Sequence, residues 1–410
     1  MNKNIKLAVA GAVLALGATA ANAGIIIPAG DWTVDISGNV NSYYTNTRKE
    51  GDSVVGGLAM ASDTGTKNAA GISTGLLPNF LSVAGSTRQN DLDVTFLISI
   101  NPGSSQNNAG SGGSSTEHRQ AFLTFGDKSW GSVKIGKDLG IFASDAILND
   151  MTLLGVGSAS GAPGTTTLGR IGSGFMYADW KSQIAYTTPN MGGFQATVGL
   201  TQSWDALASQ LSTDVLSTAG VNTVARTLAS TGSTSRGGSS TAFEGKASYS
   251  FSANDASGKV WVGGFSQKVE GIGSQDRAHA VDIGANVNMA GFGLTGYYYK
   301  GEGIGTTLML RDGYDTSGRR RESDGGYVQA TYVLPTKTKV GISYGVSNLD
   351  QTAETATALV KENNMYTAGL YHPLTKHLNL VAEYNNVESK AQTNVESKTK
   401  NVSLGAILFF

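Results

Sequence analysis

The 410-residue chain has no cysteine, which removes disulfides, thiolate metal sites and cysteine nucleophiles from consideration. It is also short of charge. Asp, Glu, Lys and Arg make up 15% of the residues, against roughly 25% in an ordinary soluble domain. The formal net charge is −1, so the chain lacks the basic field that draws a protein to nucleic acid. The four histidines, His118, His279, His372 and His377, show no zinc-like spacing, and neither metal nor cofactor is expected. After residue 23 no apolar run approaches the roughly 20 residues that a membrane-spanning helix needs. The mean hydropathy of −0.11 agrees.

What is present is an export signal and an alternating pattern. Lys3 and Lys6 precede an apolar run from Leu7 to Leu16, and Ala21-Asn22-Ala23 follows. This is the form of a secretory signal with a small-residue cleavage site. The expected division is a signal over 1–23 and one mature domain over 24–410. A retained anchor is the rival reading, but the run is too short to cross a bilayer.

Glycine is abundant, 55 of 410 residues, close to double the usual share of about 7%. Between the glycines, apolar and polar residues alternate. Trp32, Val34, Ile36, Gly38 and Val40 interleave with Asp31, Thr33, Asp35, Ser37 and Asn39. Val281, Ile283, Ala285 and Val287 interleave with Asp282, Gly284, Asn286 and Asn288. Val340, Ile342, Tyr344 and Val346 do the same, and the chain stops on Val402, Leu404, Ala406, Leu408 and Phe410 in alternation. Period two with charge recurring at mid-strand on one face suits a wall between lipid and water. A β-sandwich would bury the same stripe, but the set of segments is long for one sandwich.

Short turns rich in Gly, Asn, Asp and Pro alternate with long polar connections, as at the two ends of an outer-membrane barrel. The expected strands are 31–47, 75–86, 91–100, 117–125, 132–137, 175–187, 194–202, 242–251, 259–269, 277–288, 292–300, 323–333, 338–347, 363–373, 378–388 and 398–410. The fold class is therefore all-β, a transmembrane 16-stranded antiparallel β-barrel wide enough for an aqueous lumen. Trp32, Trp130, Trp180, Tyr332, Tyr371 and Phe410 are candidate girdle residues at the membrane interfaces.

Two stretches then show a family likeness. Glu117-His118-Arg119-Gln120-Ala121-Phe122-Leu123-Thr124-Phe125-Gly126, followed by Trp130-Gly131-Ser132-Val133-Lys134-Ile135-Gly136-Lys137, resembles a hairpin of the general porins of Gram-negative bacteria. Gly169-Arg170-Ile171-Gly172-Ser173-Gly174 and Asn190-Met191-Gly192-Gly193-Phe194 resemble the segments after their third loop. The resemblance implies a trimeric outer-membrane channel whose inward-folded third extracellular loop, here about 138–169, narrows the lumen opposite basic residues. By that likeness Arg119 and Arg170 match the wall arginines, and Lys134 joins them by strand parity. Asp145 and Asp150 are the candidate acids of the loop. The acidic Pro-Glu-Phe tip of enteric relatives is missing from Gly155 to Gly164.

Within that loop, Ser144 to Met151 reads as a short helix capped by Ser144. Ile147, Leu148 and Met151 would pack on the wall and leave the acids facing the lumen. Fixed charge in such a constriction sets which ions pass. The expected function is passive diffusion of small hydrophilic solutes and ions, with no catalysis. The expected partners are outer-membrane lipids and lipopolysaccharide, further copies of the chain, and the barrel-assembly machinery through Phe410. Two rivals stay open: an outer-membrane barrel enzyme of lipase or protease type, and a structural or adhesive barrel plugged by 203–241, where 204–216 could be helical.

Other motifs carry less. Gly131 to Lys137 fits a phosphate-binding loop, but Asp138 replaces its Ser/Thr and no helix follows. Arg319-Arg320-Arg321 could bind lipopolysaccharide phosphates or be a solvated run. Asp312-Gly313-Tyr314-Asp315 falls short of a calcium loop.

Overall fold

A computed structural model of the chain describes residues 24–62, 65–104, 116–161, 166–204, 237–238, 240–270, 277–353 and 355–410. The expected signal and nearly all of the expected helix 204–216 lie outside these residues. Sixteen wall strands form a closed antiparallel barrel. They are Trp32–Gly51, Phe80–Gln89, Leu92–Pro102, Ala121–Asp127, Gly131–Leu139, Trp180–Thr187, Phe194–Thr201, Ala242–Ala253, Ala256–Lys268, Arg277–Met289, Phe292–Glu302, Glu322–Val333, Lys339–Leu349, Val360–Pro373, Leu378–Ala391 and Glu396–Phe409. Neighbours in sequence pair with each other, and the last strand closes on the first from Asn39↔Phe409 to Gly51↔Ser397. Phe410 finishes the seam, exchanging backbone hydrogen bonds of 2.8 and 3.0 Å with Gly38. Closure leaves no unpaired edge, the condition for a sheet in hydrocarbon.

The short turns follow from their residues. Asn90-Asp91 and Ala290-Gly291 hold positive φ at both central positions, the twist that two-residue hairpins favour. Three wall strands start later than the alternation suggests: at Phe80 instead of 75, Ala121 instead of 117, and Trp180 instead of 175. Before Phe80 the chain turns inward, with the Leu76 amide bonded to the Gly155 carbonyl. Before Trp180 the left-handed Asp179 breaks the extended run. Among the described residues, five short strands lie off the main wall: Ile25–Ala29, Asn68–Ser73, Thr116–Glu117, Ser158–Gly161 and Thr167–Gly169. Ile25–Ala29 folds back on the base of the first wall strand, and Asn68–Ser73 pairs with its upper half.

Outward residues are apolar and exposed, as in Val281 at 62% and Ile283 at 56% around the buried Asp282. That pattern fits a lipid solvent. At the short-turn end, Trp130, Phe194, Tyr249 and Phe292 face outward, and Phe292 stacks on Tyr332 with ring centroids 4.4 Å apart. Two of the expected girdle residues do otherwise. Tyr371 is buried inside the barrel, and Trp180 lines an internal cavity.

Three long connections fold inward. The third extracellular loop, 140–179, joins the sixth, 303–321, in one apolar cluster that includes Phe142, Phe175, Met176, Ile304, Met309 and Leu310. Part of the first loop folds over the adjoining last three strands, where the Leu58 amide bonds to Asn363 and Ser389 and the Met60 amide to Thr399.

Candidate pore constriction

The third loop is fixed from three sides by wall carboxylates that accept its backbone amides. Glu244 takes the N–H groups of Ile141 and Phe142 at 2.8 and 2.9 Å, and also holds Lys181. Asp282 takes the Ala143 amide at 3.3 Å. Glu383 takes the Val156 and Gly157 amides, both at 2.9 Å, and the Tyr371 hydroxyl at 2.6 Å. Glycine is required beside it, because a Cβ on Gly155 would collide with the Glu383 carboxylate. Neutral wall groups complete the seam: Gln329 accepts from the Met151 amide, while Tyr327 and Tyr43 donate to the Ala146 and Leu154 carbonyls. Hydrogen bonds to buried charged groups stabilise by about 1.5–3 kcal/mol each, so the loop's path is over-determined.

The helix spans Ser144–Asn149. Its N-cap is the left-handed Ala143, not Ser144, whose hydroxyl instead donates back to the Ile141 carbonyl. The acids of the helical segment turn away from open space. Asp145 pairs with Lys246 at 2.9 Å and with Lys259, both on the wall. Burial pushes the Asp145 carboxyl up, but the two ammoniums outweigh it and hold the group below the usual carboxylate range. Asp150 caps the following turn through the Thr152 amide and pairs with Arg170 at 3.4 Å.

Arg170 sits on the loop's return limb, not on a wall strand, and is 0% exposed. Its guanidinium reaches Asp150, the Met365 carbonyl, the Thr367 hydroxyl and the Ser343 hydroxyl. Gly345 makes room for it, since a Cβ there would strike the Ser173 carbonyl and the guanidinium. Lys134 does face inward, but it pairs with Asp138 on its own strand and lies over the Phe122 ring.

The loop's other face borders a cavity of about 530 Å³. Its polar side is formed by Glu117, His118 and Arg119 from the segment before Ala121, by Asp179 at the end of the third loop, and by Lys137 and Trp180 on the wall; its apolar side is formed by Ile147, Leu148, Leu153 and Leu168 of the third loop. The expectation that the acids face the lumen does not hold, since Asp145 and Asp150 are buried in ion pairs; Ile147 and Leu148 belong to the apolar cluster shared with the wall while also lining the cavity, and Met151 packs against wall residues. Glu117 accepts from Arg119 Nε at 2.7 Å. The terminal guanidinium nitrogens make no hydrogen bond to a described residue, and the group lies 5.8 Å from the Trp180 ring centre. Lys137 has no carboxylate within ion-pair distance among the described residues. Burial holds the Asp179 carboxyl above the usual range, against the Trp180 amide and the Lys181 and Lys137 charges.

A barrel of this strand number with a loop folded into its lumen can be compared with known proteins. The family model described as Gram-negative porin matches residues 8–392. The chain belongs to the Gram-negative porins. No curated protein matches it in sequence. Among solved structures, the porin is similar to the outer membrane channel DcaP of Acinetobacter baumannii, with a TM-score of 0.67 at 17% identity, over 95% of this chain and 100% of that one. It is similar to the anion-selective porin from Comamonas acidovorans, at 0.60 and 15%, over 92% and 100%. A third is Salmonella typhi OmpF in complex with daunomycin, at 0.58 and 14%, over 94% and 100%.

Several groups that anchor this porin's third loop were not singled out by sequence. Lys246, Lys259, Glu244, Asp282 and Glu383 all lie on inward strand positions, and a charge at mid-strand was the available signal. The arginine run is structural. Arg319 pairs with Asp315 at 2.6 Å, Arg320 with Glu302 at 3.0 Å, and the buried Arg321 donates to the Asp312 carbonyl. These contacts hold the sixth loop in its inward fold, and Asp315 is occupied by them. The phosphate-loop look-alike is a wall strand. No cluster of metal ligands occurs among the described residues.

Proposed function

We propose that the narrow segment of this porin, an outer-membrane channel for solute diffusion, is the cavity between the side bearing Arg119 and Lys137 and the apolar face of the third loop, and that it prefers anions. One observation carries this. Asp145 is spent on the wall lysines Lys246 and Lys259 and Asp150 on the loop's own Arg170, while the Arg119 terminal nitrogens and the Lys137 ammonium border the cavity with no carboxylate partner among the described residues. Of the two acids that line the same cavity, Glu117 is bound to Arg119 and Asp179 is half-buried at the end of the loop. Uncompensated fixed charge in a low-dielectric channel attracts the opposite ion. Arg170 belongs to the loop's anchorage and not to the ion path.

The reversal potential of the purified, refolded protein in a KCl gradient tests this. An anion-selective sign is expected, moving toward zero in Arg119→Gln. A cation-selective wild-type channel overturns the assignment. The reading carries no catalytic role. It also takes the chain as exported by residues 1–23, assembled through Phe410, surrounded by lipid and lipopolysaccharide, and homotrimeric; OmpT of Vibrio cholerae, of similar fold, has a solved trimer form.

A further inference from the structure

The cavity has a second property that ion selectivity alone does not use. Apart from the Arg119 and Lys137 side, its lining is largely apolar: Leu77, Leu139, Ile147, Leu148, Leu153 and Leu308 converge on it. Ordinary ions gain nothing from such a surface, because a hydrated ion pays to approach it. Trp180 stands between the two regions, with its ring against the Arg119 guanidinium at 5.8 Å. An adjoining cavity of about 490 Å³ shares Lys137, Tyr177, Asp179, Trp180 and Leu308 with the first. Trp180 and Lys137 therefore stand at the junction of two internal spaces.

We propose that this cavity is a binding subsite for small organic carboxylates with an apolar, ring-sized body. The inference rests on the constriction assigned above and adds the class of solute. The carboxylate meets the planar fork of terminal nitrogens that Glu117 leaves open on Arg119, a geometry that suits two parallel charge-assisted hydrogen bonds. Lys137 adds a second, mobile positive charge. The body of the solute lies along Trp180 and the leucines of the loop, burying apolar area that water otherwise covers. A cavity of about 530 Å³ lies within the range of sites that hold small molecules.

Planar-bilayer recording with three probes separates charge from body. Benzoate supplies both, acetate only the carboxylate, and benzyl alcohol only the ring. Benzoate is expected to interrupt the chloride current at concentrations about tenfold below acetate, the factor that partial burial of one ring supports. Benzyl alcohol is expected to leave the current unaltered. Trp180→Ala and Leu148→Asn, each checked for folding by heat-modifiable migration on gels, should each bring benzoate close to acetate. Leu148 lies on the loop face and not in the wall, so the two variants perturb different elements. Arg119→Gln should abolish the benzoate effect.

Equal potency of benzoate and acetate on the wild type overturns the proposal. So does full benzoate block in both folded variants, Trp180→Ala and Leu148→Asn. The reversal potential is read in the same recordings and keeps the two readings apart. Anion selectivity without benzoate discrimination sinks the subsite alone. Benzoate block in a channel that is not anion-selective sinks the ion preference alone.

Discussion

The two faces of the third loop use the same residue types for opposite ends. Toward the far wall, the charges that hold the loop are matched: Asp145 against Lys246 and Lys259, Asp150 against Arg170, and Glu383 against two amides and a tyrosine. Toward the cavity, the loop offers leucines, and the opposite side offers a guanidinium fork and an ammonium without loop partners. Matched charges in a dry seam hold geometry, because removing either member strands the other. Unmatched charges in a wet passage cost little and act on what passes. The difference explains why a count of lumen charges says little about selectivity.

Breaking the anchored face should have the largest effect. Arg170→Met leaves Asp150 buried without its partner, a loss of about 3–5 kcal/mol for pairs of this kind. The loop should come away from Lys339–Leu349 and Val360–Pro373, giving noisy, enlarged single-channel steps and protease cleavage within 140–179. Quiet steps of wild-type size would show that the neutral contacts suffice. Glu383→Ala comes next, stranding two amides and the Tyr371 hydroxyl at a cost of about 2–5 kcal/mol. Its expected signature is the same noise with a smaller increase in conductance, read in the same recordings.

On the open face, Arg119→Gln should move the reversal potential without adding that noise. Noise in this variant would merge the two faces into one unit. Acid sharpens the contrast in a His118→Asn background, where the cavity histidine is removed. Asp179, raised by burial, loses its charge first as pH falls, above the ordinary Asp range near about 3.9, so anion selectivity should increase there. Asp145 is depressed, so its contribution to loop anchorage is complete above the ordinary range and is lost only as pH falls through its lowered value. A reversal potential that stays constant as pH falls through that range would contradict the assignment. The smallest effect belongs to the rim. Lys390→Ala removes an exposed pair with Glu396, and neither thermal stability nor conductance should change measurably.

The likeness to known porins and the alternation of residues such as Val281, Asp282 and Ile283 made the barrel legible before any contact was known. The site was legible only in part. Arg119 lies on the cavity, but Arg170 is an anchor, Asp145 pairs with wall lysines and Asp150 is held by Arg170. Helix periodicity over Ser144–Asn149 separates the apolar from the acidic face, yet it does not say which face meets water. That depends on what waits on the wall. Lys246 and Lys259 waited for Asp145, and without them its burial would have been prohibitive.

Sequence alone determined the sixteen strands, their closure and the sides of the long and short connections. Each of those follows from local rules: parity along a strand, turn chemistry, and the need to pair every backbone group in hydrocarbon. Tertiary structure decided where the loops rest and which charges remain unpaired. Those outcomes hang on contacts such as Glu383 with Val156 and Arg170 with Thr367, far apart in the chain. No periodicity records a contact between residues that meet only after the barrel has closed.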